Sequence, residues 1–222
     1  MQKKIKTLEE AIAPIKDGSV IMVGGFMGTG TPEILMDALV LKGIKDLVII
    51  CNDGAYPKRG VAKLIANKQV KTLIASHVGL NPEVGQQMDR GELEVILVPQ
   101  GTLAERIRAG GTGLGGVLTP TGVGTIVAEG KQVITIEGKE YLLEMPLKAD
   151  FALIRGSVTD KKGNVWYNES TRNFNPLMAM AADTVIVATE KIVEVGEIDP
   201  NNVMTPGIFV DVIVGGEKPW QM

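Results

Sequence analysis

The stretch Gly24-Gly25-Phe26-Met27-Gly28-Thr29-Gly30-Thr31-Pro32 has the residue types best suited to chemistry in this sequence. It follows the aliphatic run Val20 to Val23, which reads as a strand, and precedes a helical pattern. Glycines let a backbone take positive φ and approach a ligand closely. Thr31 is placed to cap the helix, Pro32 suits its first position and Glu33 its first turn. A helix N-terminus offers unpaired N–H groups, so the loop reads as a site for a phosphate, a pyrophosphate or a developing oxyanion. It is not a P-loop, because no Gly-Lys-Ser/Thr follows. Gly25, Gly28 and Gly30 also reverse the spacing of a dinucleotide fingerprint. The plainer alternative is a tight turn with packing glycines and no ligand. A second Gly-rich run, Gly110 to Gly116, precedes Pro120-Thr121-Gly122-Val123-Gly124-Thr125. It adds either a ligand-bearing loop surface or an irregular connection.

Other candidates stand just after aliphatic runs, where α/β proteins form their sites. Asn52 and Asp53 follow Leu47 to Cys51, and Gln100 follows Val95 to Val98. Each can equally be a turn or capping residue. His77 is the only histidine and Cys51 the only cysteine. Ser76 and His77 are strand neighbours pointing to opposite faces, so they make no nucleophile–base pair. Cys51 and His77 could meet across adjacent strands, but a buried structural cysteine is the commoner case. No metal-ligand spacing appears, so no metal is expected. Glu169, within Tyr167-Asn168-Glu169-Ser170, has polar neighbours that favour a surface loop. These residues describe a binding scaffold more clearly than a complete active site.

The elements that must position them alternate. Val20 to Val23, Leu47 to Cys51, Thr72 to Ala75, Val95 to Val98, Phe151 to Ile154 and Val185 to Ala188 read as strands buried on both faces. Helical patterns cover Thr7 to Ile15, with a Thr7/Glu10 capping box, and Pro32 to Leu41, Gly60 to Ala66, Pro82 to Arg90 and Leu103 to Ala109. Val133 to Ile136 and Lys139 to Leu143 form a hairpin around Glu137-Gly138. The expectation is an α/β fold: a mostly parallel open sheet with helices on both faces and a small antiparallel ribbon, in one domain over residues 1–222. The tail after Gly215 is polar and is expected to fray.

Composition narrows the function. Lys plus Arg number 23 and Asp plus Glu 26, a net charge of −3, which does not suit nucleic acid. An apolar share of 45% and a charged share of 22% describe a globular chain. The N-terminus has no apolar core of a signal peptide, and no apolar run reaches the roughly 18 residues of a membrane helix. A single cysteine rules out an internal disulfide, so a cytoplasmic location without membrane contact is expected.

Asp17-Gly18, then Ile21-Met22-Val23-Gly24-Gly25-Phe26, Gly30 and Pro32 form a longer pattern. It resembles the signature of the A (alpha) subunit of family I 3-oxoacid and short-chain acyl CoA-transferases, the acetate/acetoacetate and butyrate–acetoacetate enzymes among them. Pro99 to Gly111, Leu118 to Thr125 and Asn173-Phe174-Asn175-Pro176 are similar to further blocks of that subunit. The resemblance implies an open α/β sheet and associates Gly24, Gly25, Phe26, Met27, Gly28, Thr29 and Gly30 with CoA. It places Asn52 and Gln100 beside a nucleophilic glutamate carried by a partner B subunit within a Glu-Asn-Gly motif. That motif does not occur in this chain. An A2B2 assembly, acyl-CoA and short-chain carboxylate substrates, and no permanently bound cofactor are implied with it. The implied reaction is ping-pong, through an acyl–glutamyl anhydride and a glutamyl-CoA thioester. Two other readings stay open. One is a sugar-phosphate isomerase-like enzyme, which would carry its own acid and base. The other is a non-catalytic acyl-CoA-binding module.

Overall fold

A computed structural model describes residues 4–219. The chain opens with α1 (Leu8–Ile12), β1 (Val20–Val23), α2 (Glu33–Lys42), β2 (Leu47–Ile50), α3 (Ala62–Ala66), β3 (Val70–Ala75), α4 (Pro82–Asp89) and β4 (Glu94–Leu97). Next come α5 (Gln100–Thr112) and the ribbon strands β5 (Val117–Thr119), β6 (Val133–Ile136) and β7 (Lys139–Glu144). The last part is β8 (Ala149–Asp160), β9 (Val165–Trp166), α6 (Asn175–Met178), β10 (Ala182–Val193) and β11 (Val212–Gly215). The main sheet runs β11-β10-β8-β1-β2-β3-β4, every pair parallel, with the short β9 antiparallel on β8. The ribbon is a separate antiparallel sheet, β5-β7-β6.

Alternation along the strands feeds two apolar clusters. Ile21 and Val23 face one side with Ile49, Leu73, Leu153 and Ile186, covered by α1 to α4. Met22 faces the other with Ile50, Ala152, Ile154 and Val187, covered by α5 and α6. Strands buried on both faces therefore read as unbroken aliphatic runs. The exception is β4, the sheet edge, where Ile96 is 41% and Leu97 54% exposed. The cover over the sheet thins out at this edge, so the expectation of full burial fails there, whereas β11 at the other edge is buried. β8 and β10 run well past the apolar stretches expected for them, because buried polar residues such as Arg155, Ser157 and Thr159 continue β8. The Thr7/Glu10 capping box is present: Glu10 N–H donates to Thr7 Oγ1 at 3.2 Å, and Thr7 N–H to Glu10 Oε2 at 2.9 Å.

Chain order reverses beside β1. From β1 the chain steps out through β2, β3 and β4, then returns to β8 on the opposite side. Such a switch point opens a crevice at the carboxyl ends of the strands, where the glycine loop begins.

Two expectations change at the end of that loop. Thr31 does not cap α2; the helix starts at Glu33, with Pro32 at the cap position and no side-chain cap. The capping acceptor comes from the chain's far end: Ile34 N–H donates to Glu217 Oε2 at 3.2 Å. Residues 216–219 are accordingly pinned, with Glu217 buried and the Lys218 carbonyl accepting from Arg155 Nη2, while residues 220–222 of the expected frayed tail lie outside the described residues. Burial pushes the Glu217 carboxyl above the usual carboxylate range, against the pull of the Ile34 N–H and the Arg155 charge. The folded chain therefore keeps a proton on Glu217 at pH values where the unfolded chain has lost it. This group's contribution to stability then declines as the pH rises from the usual carboxylate range through the folded value. Denaturant unfolding at several pH values should show that decline in the wild type and not in Glu217→Gln. Glu217→Ala, which strips the cap from α2, should cost about 1 kcal/mol.

Candidate active site

The loop after β1 is built almost wholly from its own hydrogen bonds and from side chains far along the chain. Phe26 and Thr29 exchange backbone hydrogen bonds, both at 2.9 Å, around Met27 (φ +52°) and Gly28 (φ +84°). Positive φ at both central residues makes this a hairpin-type turn that favours glycine. Gly24 N–H donates to the Leu153 carbonyl, continuing the β1–β8 ladder by one step. Gly25 N–H donates to Asn173 Oδ1 at 3.1 Å, and Met27 N–H to Asp53 Oδ2 at 2.8 Å. Among the described residues, Gly28 N–H and Gly30 N–H take no partner within the protein. The loop thus holds two unpaired amides, both on buried glycines, and the N-terminus of α2 is occupied by Glu217.

The glycines have identifiable steric reasons. A Cβ on Gly24 would collide with Asn175 Oδ1, and one on Gly25 with Thr31 Oγ1. A Cβ on Gly30 would lie 2.8 Å from Asn173 Nδ2. At these three positions the close approach is made by the protein's own side chains.

An open cleft of about 520 Å3 lies beside the loop. Phe26, Phe174, Leu177 and Met204 contribute apolar surface, while Gln100, Arg108 and Arg172 contribute polar groups. Arg108 is paired with Glu105 at 3.2 Å, and both side chains are about half exposed. Arg172 forms no ion pair among the described residues. Two guanidiniums and an apolar wall suit a carboxylate carrying a short apolar chain, or a phosphate.

Gln100 is the first residue of α5, exposed on this cleft directly after Pro99. Asn52 stands elsewhere. It is 0% exposed, under the loop, in a cavity of about 10 Å3 walled by Gly24, Gly25, Gly28 and Thr31. Neither its Oδ1 nor its Nδ2 has a hydrogen-bond partner. A buried unpartnered amide costs about 1–3 kcal/mol and calls for an explanation. Asn52 and Gln100 therefore line separate cavities, with the glycine loop contributing to both. Asp53 braces the backbone: Oδ2 takes Met27 N–H, and Oδ1 takes Ala55 N–H at 2.7 Å.

The remaining candidates do not assemble. The Cys51 thiol donates to the Asp53 carbonyl at 3.1 Å, and burial, with the Asp53 charge, raises its pKa well above the ordinary thiol value. It is held as a neutral thiol and makes no nucleophile pair with His77, which bridges the Asp53 backbone. Glu169 sits exposed on the turn Glu169–Arg172. Among the described residues no three His, Cys, Asp or Glu stand close enough to hold a metal ion. The residues that hold the loop, Asn173 and Asn175, carry no periodic signal in the sequence. Their one signal there is a block similar to the CoA-transferase A subunit.

Comparison with known proteins adds the family. The family model described as coenzyme A transferase matches residues 5–216. The chain is 54% identical over 218 residues to the acetate CoA-transferase subunit alpha of Escherichia coli, covering 98% of this chain and 99% of that one. It is 55% identical over 214 residues to the acetoacetyl-CoA:acetate/butyrate CoA transferase alpha subunit of Clostridium acetobutylicum, covering 96% and 98%. Among solved structures, an acyl-CoA transferase from Escherichia coli, in a thioester complex with CoA, shares the fold at TM-score 0.87 and 23% identity. That match covers 98% of this chain but only 48% of the other, so this chain spans about half its length. Glutaconate CoA-transferase from Acidaminococcus fermentans shares the fold at TM-score 0.83 and 21% identity, covering 95% and 75%. Matched over residues 5–216 by the family model, and by alpha subunits of its own length at more than half of the aligned positions, this chain belongs to the coenzyme A transferase family.

Proposed function

We propose that the chain is the alpha subunit of a CoA-transferase that exchanges CoA between a short-chain acyl-CoA and a short-chain carboxylate, with acetate, acetoacetate and butyrate as the acids to test. The observation that carries this is the near full-length identity, 54% and 55%, to alpha subunits named for those acids. The cleft is consistent with it: an apolar wall for a short acyl chain and guanidiniums for a carboxylate or a phosphate.

In this reading a beta subunit completes the site, in an A2B2 assembly, and brings the nucleophilic glutamate. The glutamate carboxylate attacks the thioester carbonyl and expels CoA thiolate, leaving an acyl–glutamyl anhydride. The thiolate then attacks the glutamyl carbonyl, releasing the free acid and leaving a glutamyl-CoA thioester. The second acid reverses both steps. No metal or other permanent cofactor takes part, and the reaction belongs to the cytoplasm.

This chain contributes orientation and electrostatics. Gln100, exposed on the cleft, donates an N–H to the partner carboxylate or to the thioester oxygen as charge builds there. Asn52 holds an unpaired amide beside Gly28, under the loop, in a cavity with room for about one water. The amides of Gly28 and Gly30 are the loop's free donors toward CoA or an oxyanion.

The deciding experiment is a CoA-transfer assay of the co-purified subunits against a panel of acids. The pair should transfer CoA among short-chain acids, and the single chain should not; turnover by the single chain at enzymatic rates overturns the reading. In the assembled enzyme, Gln100→Ala should lower kcat by about 10²–10³ while Tm stays near wild type. A cap-only role would show the opposite pattern. Asn52→Ala should lose little stability, because the amide it removes has no partner to leave behind, while transfer falls at least about tenfold. A matched loss of stability with full activity per folded enzyme would make Asn52 a packing residue.

A further inference from the structure

We propose that Asn173 and Asn175 are positioning residues that set the glycine loop in its working conformation; this rests on the reading of that loop as part of a transferase site. Their two carboxamides straddle the base of the loop. Asn173 accepts from Gly25 N–H at 3.1 Å and donates from Nδ2 to the Thr29 carbonyl at 3.0 Å. Asn175 donates from Nδ2 to the Gly30 carbonyl at 2.9 Å. Each is anchored on its other side. Asn175 Oδ1 takes Arg155 N–H from β8 at 3.1 Å, and its Nδ2 also reaches the Thr171 carbonyl at 2.7 Å. Asn173 Nδ2 reaches the Ser170 carbonyl at 2.7 Å. The loop is thereby tied to β8 and to the Glu169–Arg172 turn, about 120 to 150 residues away along the chain.

The chemistry explains why both residues are amides. Asn173 must accept from one loop group and donate to another, which a carboxylate or an aliphatic side chain cannot do. The fit also explains Gly24 and Gly30, whose absent side chains are the space into which the carboxamides reach. Gly25, Gly28 and Gly30 sit at positive φ, which glycine adopts freely, and Met27 joins them at +52°, a conformation that a non-glycine residue keeps only where its surroundings impose it. The same turn also faces the cleft. Phe174 and Pro176 line it together with Phe26, the loop residue on that side. One short segment therefore shapes the cleft, which Asn173 also lines, and fixes the loop through the carboxamides of Asn173 and Asn175. The Gly28 and Gly30 amides depend on this clamp for their aim.

The test uses the assembled enzyme with Asn173→Ala and Asn173→Asp. Asn173 is the better probe because it is only partly buried, whereas Asn175 is fully buried and also holds the β8 backbone. Hydrogen exchange at Gly25 should accelerate in Asn173→Ala. In both variants kcat should fall by about 10²-fold, as expected for groups displaced by about 1 Å, with KM for acyl-CoA moving far less and Tm shifting by a few degrees. Asn173→Asp, which keeps the acceptor and loses the donor, should not rescue kcat. A Gly25 amide as protected in Asn173→Ala as in wild type overturns the clamp. Faster exchange with wild-type kcat and KM overturns its role in the reaction, as does a lowered Tm with unchanged kcat per folded complex. A wild-type complex that transfers no CoA to any acid instead refutes the functional reading, and the exchange data still report whether the amides hold the loop.

Discussion

Strand β1 ends between two parallel neighbours, and its backbone has to leave the sheet while β8 continues beside it. Every peptide group that departs from the ladder there must find a new partner or water. The first, Gly24 N–H, still reaches the Leu153 carbonyl; the following amides are met by Asn173, by Thr29 across the turn and by Asp53. At the far end of the loop, the first turn of α2 is met by Glu217. The loop's shape is therefore decided by residues from β2's end, from the turn before α6 and from the end of the chain. No local propensity specifies it, and it forms only when the sheet has brought those segments together.

Arg155 stands at the centre of that convergence. It is 1% exposed, and its guanidinium meets Glu190 at 2.7 Å, the Lys218 carbonyl and the Thr31 carbonyl at 3.4 Å. Removing one partner from a buried ion pair typically costs about 3–5 kcal/mol, because the other is left charged and dry. Here the same group also holds the tail that carries Glu217. The charge is thus kept where it links β8, β10, the glycine loop and the chain terminus. Its backbone N–H, taken by Asn175, adds the α6 turn to the same knot.

Much of this is legible in the sequence, though its causes are not. The early strands and the ribbon show there because strands covered on both faces are unbroken aliphatic runs, and because Glu137-Gly138 marks a turn. β8 reads short, since Arg155, Ser157, Thr159 and Asp160 are buried through partners that only tertiary structure supplies. β11 does not stand out at all, and the tail beyond it looks like a fraying end because nothing local announces that Glu217 caps a helix far away in the chain. The glycine loop is plain, but its glycines suggest ligand approach, whereas three of them make room for Asn175, Thr31 and Asn173. The edge position of β4 depends on sheet order, which an aliphatic run does not encode.

A site arranged this way invests its strain before any substrate arrives. Positive φ at Met27, the one loop position of that kind that is not glycine, and a buried amide without a partner at Asn52 are each unfavourable in the folded chain. They persist because the asparagine pair, Asp53 and the Arg155–Glu217 network over-determine the backbone around them. Preset donors need no reorganisation when charge develops on a thioester oxygen, and that is the condition under which a few hydrogen bonds accelerate acyl transfer strongly. In the proposed reaction the glutamate carboxylate passes through an anhydride to a thioester in the first half and returns the same way in the second. A fixed set of neutral donors serves each of those states, while a mobile charged group would match only one. In the proposed reading, the neutral amide of Gln100 on the cleft and the backbone N–H groups of Gly28 and Gly30 are physically suited to that role, and the asparagine clamp is what keeps the loop amides in place.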